Sequence, residues 1–517
     1  MHGSHAGVVA GQRYSVGAVG GALLSRAADR DPGESRRLAQ GRTVVCAEVA
    51  SSADGSVRAR IAAPQGWVDA SALHAPPPLP AMLDYTNFAA RQHYPAPGDH
   101  HGLLLPGNME ALQAAGPEFL TAAFRAAGTI APDNQVIRIV ALDPLDVRGA
   151  SDNALLTVAY ARDEPGLDTD LFVKFPAADT MHAFRQLHFP NGEIEMMRLS
   201  QRQALPFPVA KCYFADCCAD TSAYLLITQR IAFGQGGLEP AHRKGYDHLV
   251  SDPPAHYDAL VSALASLAAA HRTGALGDEV EDMLPFARAT RDYVTVGDSA
   301  PQVDKLVRFV GTTAPQLFAQ QVRDRDFMAR WRDDLLFGLT HREALVQHLL
   351  ADVDYTALCH PNLNIDNAWY WRDDGGRLHA GLLDWGGAGQ MPIAQALSGM
   401  LMMPEPDAHL GLVHRMIDRF VTDYAAHGGP VLDRETLHRQ YKASLYSTAI
   451  SLFVSILADI VDGLPEELCR SFTDLNDPRL AETGLRSAIV WIDNVLREWT
   501  EPLTPGMVAR AIVAGGA

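Results

Sequence analysis

The chain has 517 residues, a formal net charge of −18, and 47% hydrophobic and 20% charged residues. This length predicts two or three domains, and the acidic balance disfavours nucleic acid or an anionic membrane surface as a main partner. No apolar run reaches the ~20 residues that span a bilayer, no signal-peptide pattern opens the chain, and the six cysteines show no metal-ligand spacing. We therefore expect a cytoplasmic protein with free thiols.

The first 74 residues predict a flexible N-terminus over 1–12 and a small all-β barrel over 13–74. Two β-like runs, at 43–50 and 56–63, flank a Ser-Ala-Asp-Gly turn, which is typical of a hairpin. The whole segment resembles an SH3-like barrel. A peptide groove of the SH3 kind needs several exposed aromatic side chains, and only Tyr14 and Trp67 are available. The main interpretation is a structural appendage, with a protein partner as the alternative.

The remaining chain divides into a linker, a strand-rich part and a helical part. A proline-rich stretch begins a linker and irregular segment over 75–114, and apolar spacing predicts a helix over 116–128. Residues 115–230 alternate β-like runs around one amphipathic helix, which predicts a β-rich lobe. Residues 231–517 are mostly helical in pattern, with a β-rich island at 355–386. The predicted fold class is α+β with two lobes of unequal size.

The β-rich island predicts a hairpin with polar side chains at its open end. The runs Asn-Ala-Trp-Tyr-Trp and Leu-His-Ala-Gly-Leu-Leu-Asp-Trp flank a turn over 372–376. Asn367 begins the first run, and Asp384 lies near the end of the second. Mg²⁺ takes oxygen ligands and usually only one or two protein carboxylates. The sequence therefore predicts a metal site at Asn367 and Asp384.

The order of residues in this island resembles a known group of kinases. Its pattern is similar to the catalytic and metal loops of the aminoglycoside phosphotransferase, choline kinase and ecdysteroid-kinase-like families, which read His-Gly-Asp, four residues, Asn, a hairpin and Leu/Ile-Asp-Trp/Phe. His360, Asn367 and Asp384 match the His, the metal-binding Asn and the metal-binding Asp. The resemblance covers about 115–460. It implies a protein-kinase-like fold and ATP- and Mg²⁺-dependent phosphate transfer to the hydroxyl of a small alcohol or amino alcohol.

The resemblance also implies the residues that would hold the nucleotide. Lys174, in the run Val-Lys-Phe, matches the strand lysine that binds the α- and β-phosphates. Glu193 matches the glutamate that pairs with this lysine, and Glu195 is the alternative. The residues at the adenine-binding hinge are Thr228, Gln229, Arg230 and Ile231. The glycine-rich loop falls at 148–152, which contains one glycine and reads equally well as a plain surface turn.

Two departures from the family pattern concern the chemistry. Asn362 occupies the position of the catalytic Asp, after Pro361 in place of Gly, and Gln395 stands where a structural Asp braces the loop. An amide cannot accept the substrate proton, although positioning and electrostatics do most of the work in phosphoryl transfer. Asp366 is either a loop-capping residue or a relocated base or extra metal ligand. His360 is assigned to bracing the loop.

The acceptor and the activity stay open at this point. The helical segment over 405–500 would form the acceptor pocket, where several aspartates either attract a cationic acceptor or belong to solvated helix faces: Asp407, Asp418, Asp423 and Asp459. One alternative is a non-catalytic kinase-like protein that binds a nucleotide or a partner. Another is a different reaction on the same scaffold, because fold does not fix function.

Overall fold

The computed structural model describes residues 96–145, 151–176, 190–218, 221, 223–286, 299–446, 454 and 457–515, together with short strands between 13 and 74. The chain divides into two compact units, one made of Leu83–Pro240 and Trp369–Ala388, the other of Met1–Met82, Ala241–Ala368 and Gly389–Ala517. The predicted flexible N-terminus at 1–12, the proline-rich start of the linker and most of the predicted glycine-rich loop, Arg148 to Ala150, lie outside the described residues. The predicted domain boundaries stay predictions.

The described part of the first 74 residues contains seven strands: β1 Arg13–Val16, β2 Ala22–Leu24, β3 Arg36–Leu38, β4 Thr43–Ser51, β5 Val57–Ile61, β6 Gly66–Asp69 and β7 Leu73–His74. Five of them form one antiparallel sheet in the order β6-β5-β4-β1-β7. The predicted hairpin is confirmed, because β4 pairs with β5 and Cys46 lies opposite Ile61. The likeness to an SH3 barrel stays a prediction.

The β-rich unit is built on a five-stranded antiparallel sheet. Its elements up to 229 are β8 Ala96–Pro97, β9 Leu104–Leu105, α1 Met109–Ala126, β10 Val136–Leu145, β11 Ser151–Tyr160, β12 Asp170–Pro176, α2 Pro190–Arg202, β13 Cys212–Cys217 and β14 Tyr224–Gln229. The sheet order is β10-β11-β12-β14-β13. Consecutive antiparallel strands need only short connections, which suits the closely spaced β-like runs of the sequence.

One face of this sheet forms the core with α1. Residues at every second position of β12, Leu171, Val173 and Phe175, are buried in one cluster with Leu120 and Phe124 of α1. Because side chains of a strand alternate between the two faces of a sheet, Lys174 lies on the face opposite this core. The apolar alternation of the strand therefore places one cation on the other side of the sheet.

Helix α1 is longer than its predicted counterpart over 116–128. It begins at Met109, where the Asn108 side chain accepts a hydrogen bond from the backbone N–H of Ala111. Gly116 has a φ of 70° and precedes Pro117, so the helix kinks there. The sequence signal at this glycine and proline pair indicated a helix start, whereas the structure continues a helical turn on either side.

The second unit is mostly helical. Its described α-helices are α3 Pro253–Arg272, α4 Val280–Met283, α5 Ser299–Arg308, α6 Arg325–Thr340, α7 Arg342–Ala351, α8 Ile393–Met400, α9 Pro406–Ala426, α10 Arg434–Ser444, α11 Ala458–Asp462, α12 Glu466–Ser471, α13 Pro478–Thr483, α14 Arg486–Arg497 and α15 Pro505–Val513. The β-rich island forms β15 Thr356–Cys359 and β18 Gly389–Pro392 in this unit, and β16 Ala368–Arg372 and β17 Leu378–Leu382, which belong to the β-rich unit from Trp369 onward. The predicted hairpin is the pair β16 and β17, and β15 pairs with β18. The α+β class, with a β-rich and a helical part, is confirmed.

Two further features of the fold are the state of the cysteines and the hydrophobicity of the helices. All six cysteines are free thiols with buried side chains: Cys46, Cys212, Cys217, Cys218, Cys359 and Cys469. Within the described ranges, no helix combines the length and the apolar character needed to cross a membrane.

Asp247 lies inside the helical unit, just before α3, and predicts a pH-dependent stability. Its carboxylate accepts a hydrogen bond of 2.7 Å from the Tyr257 hydroxyl. Burial, opposed by this hydrogen bond and by Arg486 but reinforced by Asp366 and Glu405, raises the Asp247 pKa to about 7. The folded state then binds a proton that the unfolded chain has released, so stability falls as the pH rises from the ordinary Asp pKa towards 7.

We therefore expect Asp247→Asn to flatten the pH dependence of stability over this window. The amide oxygen keeps the hydrogen bond from Tyr257 but carries no charge. Urea unfolding of both proteins at several pH values from about 4 to 7 measures this dependence. The upper limit is the Asp247 pKa of about 7. An unchanged slope in the variant contradicts it.

Candidate active site

Lys174 is the centre of a cluster of three charged side chains in the β-rich unit. Its Nζ lies 2.8 and 3.0 Å from the two carboxylate oxygens of Glu193 and 2.6 Å from Oδ1 of Asp384. The side chains of Lys174 and Glu193 are 12% and 9% exposed, whereas that of Asp384 is 46% exposed. The cluster therefore opens to its surroundings through the Asp384 carboxylate.

The charges of this cluster do not balance, because two carboxylates surround one ammonium. Burial acts to lower the pKa of Lys174, but the carboxylates of Asp384 and Glu193 outweigh it and raise the pKa. Burial raises the pKa of Glu193, and Asp384 adds to this effect against the opposing Lys174. The charged ammonium of Lys174 can donate to a phosphate oxygen, and the exposed carboxylate of Asp384 beside it can bind a divalent cation.

Glu193 rather than Glu195 is the partner of the lysine. Glu195 accepts a 2.6 Å hydrogen bond from Arg198 and lies 3.2 Å from His100. Residues two apart on a helix do not share a face, so α2 directs its two glutamates to different neighbours. The structure thus brings Lys174 together with the first of the two candidates, while the roles assigned to both residues stay predictions.

The backbone of Asp384 is strained and tightly supported. Among the described residues, Asp384 is the only non-glycine residue with a positive φ, 55°, a conformation that costs about 1–2 kcal/mol. The neighbouring Trp385 ring stacks on Phe207 with centroids 5.7 Å apart, and the N–H of Leu382 donates to the carbonyl of Pro208 at 3.0 Å. Such supported strain is common where a side chain must be aimed at a ligand.

A close backbone approach links α2 to the segment after Asp384. A Cβ atom at Gly192 would lie 2.3 Å from the carbonyl oxygen of Ala388 and 3.0 Å from its nitrogen. Only glycine allows this approach. Glu193, the next residue, lies near enough to Asp384 for both carboxylates to contact Nζ of Lys174. The sequence gives no signal for this contact, because nothing in a single sequence shows what a glycine must approach.

The predicted adenine-binding hinge straddles the end of β14. Thr228 and Gln229 are the last two residues of that strand, and the exposed Arg230 follows it. The N–H of Gln229 donates to the carbonyl of Lys211 at 2.8 Å, and the N–H of Arg230 donates to that of Asp170 at 3.2 Å. The start of this segment is therefore held on both sides at the end of β14, and its contact with adenine stays a prediction.

The loop that follows β15 in the helical unit is ordered by its own polar side chains. The buried ring of His360 accepts a 3.2 Å hydrogen bond at Nδ1 from the N–H of Asn362. The Asn367 amide nitrogen donates to the Asn362 carbonyl at 2.6 Å. This hydrogen bond joins His360 to the loop, and the bracing role assigned to it from the sequence stays a prediction. Because the amide nitrogen of Asn367 is used inside the loop, its oxygen is the atom suited to a metal.

The end of helix α8 packs against the same loop. The Asn364 amide donates to the carbonyls of Gly399 and Met400 at the end of α8, at 2.9 Å each. A Cβ atom at Gly399 would lie 1.7 Å from the carbonyl oxygen of Pro361. Gln395, the residue found where the family has a structural Asp, is buried in this helix. The loop therefore rests directly on the backbone of α8.

Lys244 is a residue near this loop that sequence reasoning missed. Its Nζ lies 3.3 Å from Oδ1 of Asn362 and 4.0 Å from Oδ2 of Asp366. The lysine is 118 residues before Asn362 in the chain and belongs to no motif, so a single sequence gives no signal for the contact. Asp366 thus has Lys244 as a neighbour, and the alternatives for its role stay open.

The aspartates proposed for attracting a cationic acceptor are engaged elsewhere. Each of the four accepts an ion pair from an arginine or lysine: Asp407 from Arg497, Asp418 from Arg434, Asp423 from Arg419 and Asp459 from Lys305, at 2.7 to 2.9 Å. Their charges are thus compensated by neighbouring cations; Asp407, Asp418 and Asp459 lie on exposed helix faces, whereas the side chain of Asp423 is only 14% exposed. The role of these aspartates stays a prediction.

Comparison with known proteins finds similar chains among the solved structures. No family model matches the sequence, and no curated protein matches it. The chain is similar to a microcompartment-associated aminopropanol kinase, with 11% identity over 77% of this chain and 98% of that one and a TM-score of 0.37. It is also similar to a choline kinase from Streptococcus pneumoniae, with 14% identity over 68% and 95% and a TM-score of 0.34.

A third similar structure is an aminoglycoside phosphotransferase from Streptomyces rimosus, with 16% identity over 59% of this chain and 92% of that one and a TM-score of 0.31. These neighbours include aminoglycoside phosphotransferases and choline/ethanolamine kinases, the families that the motifs of the sequence resemble.

Proposed function

We propose that this protein binds ATP with Mg²⁺ and transfers a phosphate group to the hydroxyl of a small molecule. The observation that carries this proposal is Lys174, held by Glu193 and Asp384 on the face of the sheet opposite its core. Burying the charged Lys174 and Glu193 side chains costs hydration free energy. Binding of a ligand with complementary charges can offset this cost. Binding of a phosphate chain and a cation uses all three side chains.

Each residue has a defined task in this proposal. Lys174 donates from Nζ to oxygens of the α- and β-phosphates, and Glu193 keeps the ammonium in place. The backbone of Thr228, Gln229, Arg230 and Ile231 would meet the edge of the adenine. Asp384 and Asn367 are the proposed oxygen ligands of Mg²⁺, which would neutralise the phosphate charge.

The proton of the acceptor hydroxyl has no carboxylate at the usual position. The amide of Asn362 can orient a hydroxyl but cannot take its proton. General-base assistance is worth about 10²–10⁴ in rate, so transfer by this chain is slow unless Asp366 takes the proton. A loose transition state places little demand on a base, and this leaves positioning by Lys174 and electrostatics as the larger contributions.

A second candidate function is nucleotide binding without transfer. The observation in its favour is that the Asn362 side chain, at the position of the base, is already bonded to Lys244. In such a protein, Lys174 and Asp384 would still hold the nucleotide, and the function would be the binding of this nucleotide or of a partner.

We expect ATP with Mg²⁺ to raise the melting temperature of the protein, and each to do less alone. Ligand that binds only the folded state stabilises it by about 2.7 kcal/mol at a hundred times its Kd. A thermal-shift titration measures this, and turnover of γ-labelled ATP against a panel of small alcohols separates the two candidates. Binding without turnover, also in Asn362→Asp, selects the non-catalytic one. A folded sample with no shift at millimolar nucleotide contradicts both.

A further inference from the structure

Lys244 stands on a loop that the helical unit holds rigidly. An Arg486 amino group donates to the carbonyl of Gly245, while its other amino group donates to both oxygens of Glu405 at 2.9 Å. Gly245 has a φ of 74°, and a Cβ there would lie 2.7 Å from Cα of Ser487. The backbone beside Lys244 is therefore packed against the start of α14 and cannot shift freely.

The other side of the loop is anchored as well. Two residues after Gly245, the buried carboxylate of Asp247 accepts a hydrogen bond from the hydroxyl of Tyr257 in α3. Nδ1 of His248 lies 3.0 Å from Oε1 of Glu405. Lys244 itself keeps 39% of its side chain exposed. The loop thus presents one partly exposed ammonium from a fixed backbone, which reduces the entropy lost when a ligand binds to it.

The hydrogen bond between Lys244 and Asn362 decides what this place can bind. An ammonium only donates, so Asn362 presents its oxygen to Lys244 and turns its NH₂ group away. The oxygen is occupied, and the groups left for a ligand are N–H donors on both residues. Donors without an acceptor suit an oxyanion and do not suit an ammonium.

Asp366 does not reverse this preference. Its carboxylate is 4.0 Å from Nζ of Lys244, beyond hydrogen-bond distance, and is 18% exposed. It offsets part of the ammonium charge, so an anion would be held by directed hydrogen bonds more than by a net positive field. The four aspartates named above as candidates for a cationic acceptor are each already paired with an arginine or lysine.

We propose that the acceptor is an anionic alcohol whose oxyanion binds Nζ of Lys244 and the NH₂ group of Asn362. This rests on the proposed function, since it assigns the substrate class of that site. The position that would carry a negative proton acceptor instead carries donors, which favours a hydroxy acid or a polyol phosphate over an amino alcohol. Lys244 is a specificity-determining residue, and Asn362 contributes its NH₂ group to binding rather than taking a proton.

The test is direct titration of the full chain by calorimetry, without nucleotide, with four probes: glycerate, glycerol 3-phosphate, glycerol and choline. We expect at least one of the two anions to bind and the neutral and cationic probes not to bind. Glycerate and glycerol 3-phosphate separate a carboxylate from a phosphate as the recognised group. Choline binding in preference to both anions, or no binding of either anion at millimolar concentration, overturns the inference.

Three variants make the site assignment specific. Lys244→Gln should weaken anion binding at least about tenfold, and Asn362→Asp should weaken it too by placing a carboxylate in the site. Lys305→Gln removes the same charge from the same unit at an exposed ion pair and should leave binding unchanged. Equal binding by wild type and Lys244→Gln overturns the inference.

The thermal shift by Mg²⁺ and ATP keeps this outcome apart from the proposed function. If Lys244→Gln retains that shift but loses the anion, the substrate class is supported together with a working nucleotide site. If wild type shows no shift but binds the anion through Lys244, the proposed function fails while the anion site stands.

Discussion

Lys174→Met is expected to remove most of the stabilisation of this protein by Mg²⁺ and ATP. The substitution keeps the apolar stem of the side chain and removes the ammonium that lies within 3.0 Å of both Glu193 and Asp384. The phosphate oxygens then lose a charged donor, which is worth about 1.5–3 kcal/mol, or roughly ten- to a hundredfold in Kd. Two carboxylates are also left next to each other without a cation, and they repel the phosphates.

The matched control is Lys211→Met in the same unit. The Lys211 ammonium donates to the carbonyl of Gly166 and lies over the ring of Tyr213, so it neutralises no carboxylate of the site. We expect this variant to keep the full thermal shift. A retained shift in Lys174→Met, or an equal loss in both variants, contradicts the role given to Lys174.

Gly399→Ala is expected to destabilise the helical unit by about 3 kcal/mol or more. The added methyl group would meet the carbonyl oxygen of Pro361 at 1.7 Å, and the obstacle is backbone, which cannot rotate away as a side chain can. Overpacking usually costs about 1–3 kcal/mol, with larger values where the backbone must move. Displacement of Pro361 also breaks the two hydrogen bonds from Asn364 to the end of α8. Urea unfolding measures the loss.

Gly411→Ala serves as the control for the methyl group itself. Gly411 lies within α9, and a Cβ there meets no atom within 4 Å. Because alanine favours the helix over glycine by about 1 kcal/mol, this variant should be slightly more stable than wild type. If Gly399→Ala behaves in the same way as Gly411→Ala, the close packing of the loop on α8 is contradicted.

The features that the sequence predicted correctly rest on local signals. Alternating apolar residues predicted the strands of the sheet, and the turn over 372–376 predicted the hairpin of β16 and β17. The proximity of Lys174 to Glu193 followed from their order in a resembled motif. Each of these needed only the periodicity of one segment or a short ordered set of residues.

The features that the sequence did not predict depend on approaches between distant segments. Gly192 meets Ala388, Gly399 meets Pro361, and Lys244 meets Asn362. Glycine looks the same in a sequence whether it ends a helix or admits another backbone, and a surface lysine looks the same as one aimed at a loop. The start of α1 at Met109 was missed for a related reason, since the kink at Gly116 hides the continuity of the helix.

The six buried cysteines give the molecule internal reporters of opening. Cys212, Cys217 and Cys218 belong to the β-rich unit, and Cys359 and Cys469 to the helical one. A thiol reagent reaches a buried sulfur only when the surrounding structure opens, so the labelling rate of each cysteine measures the free energy of that opening. Mass spectrometry of the labelled peptides would resolve the two units separately, without any engineered probe. A nucleotide that binds at Lys174 would slow labelling in the β-rich unit first.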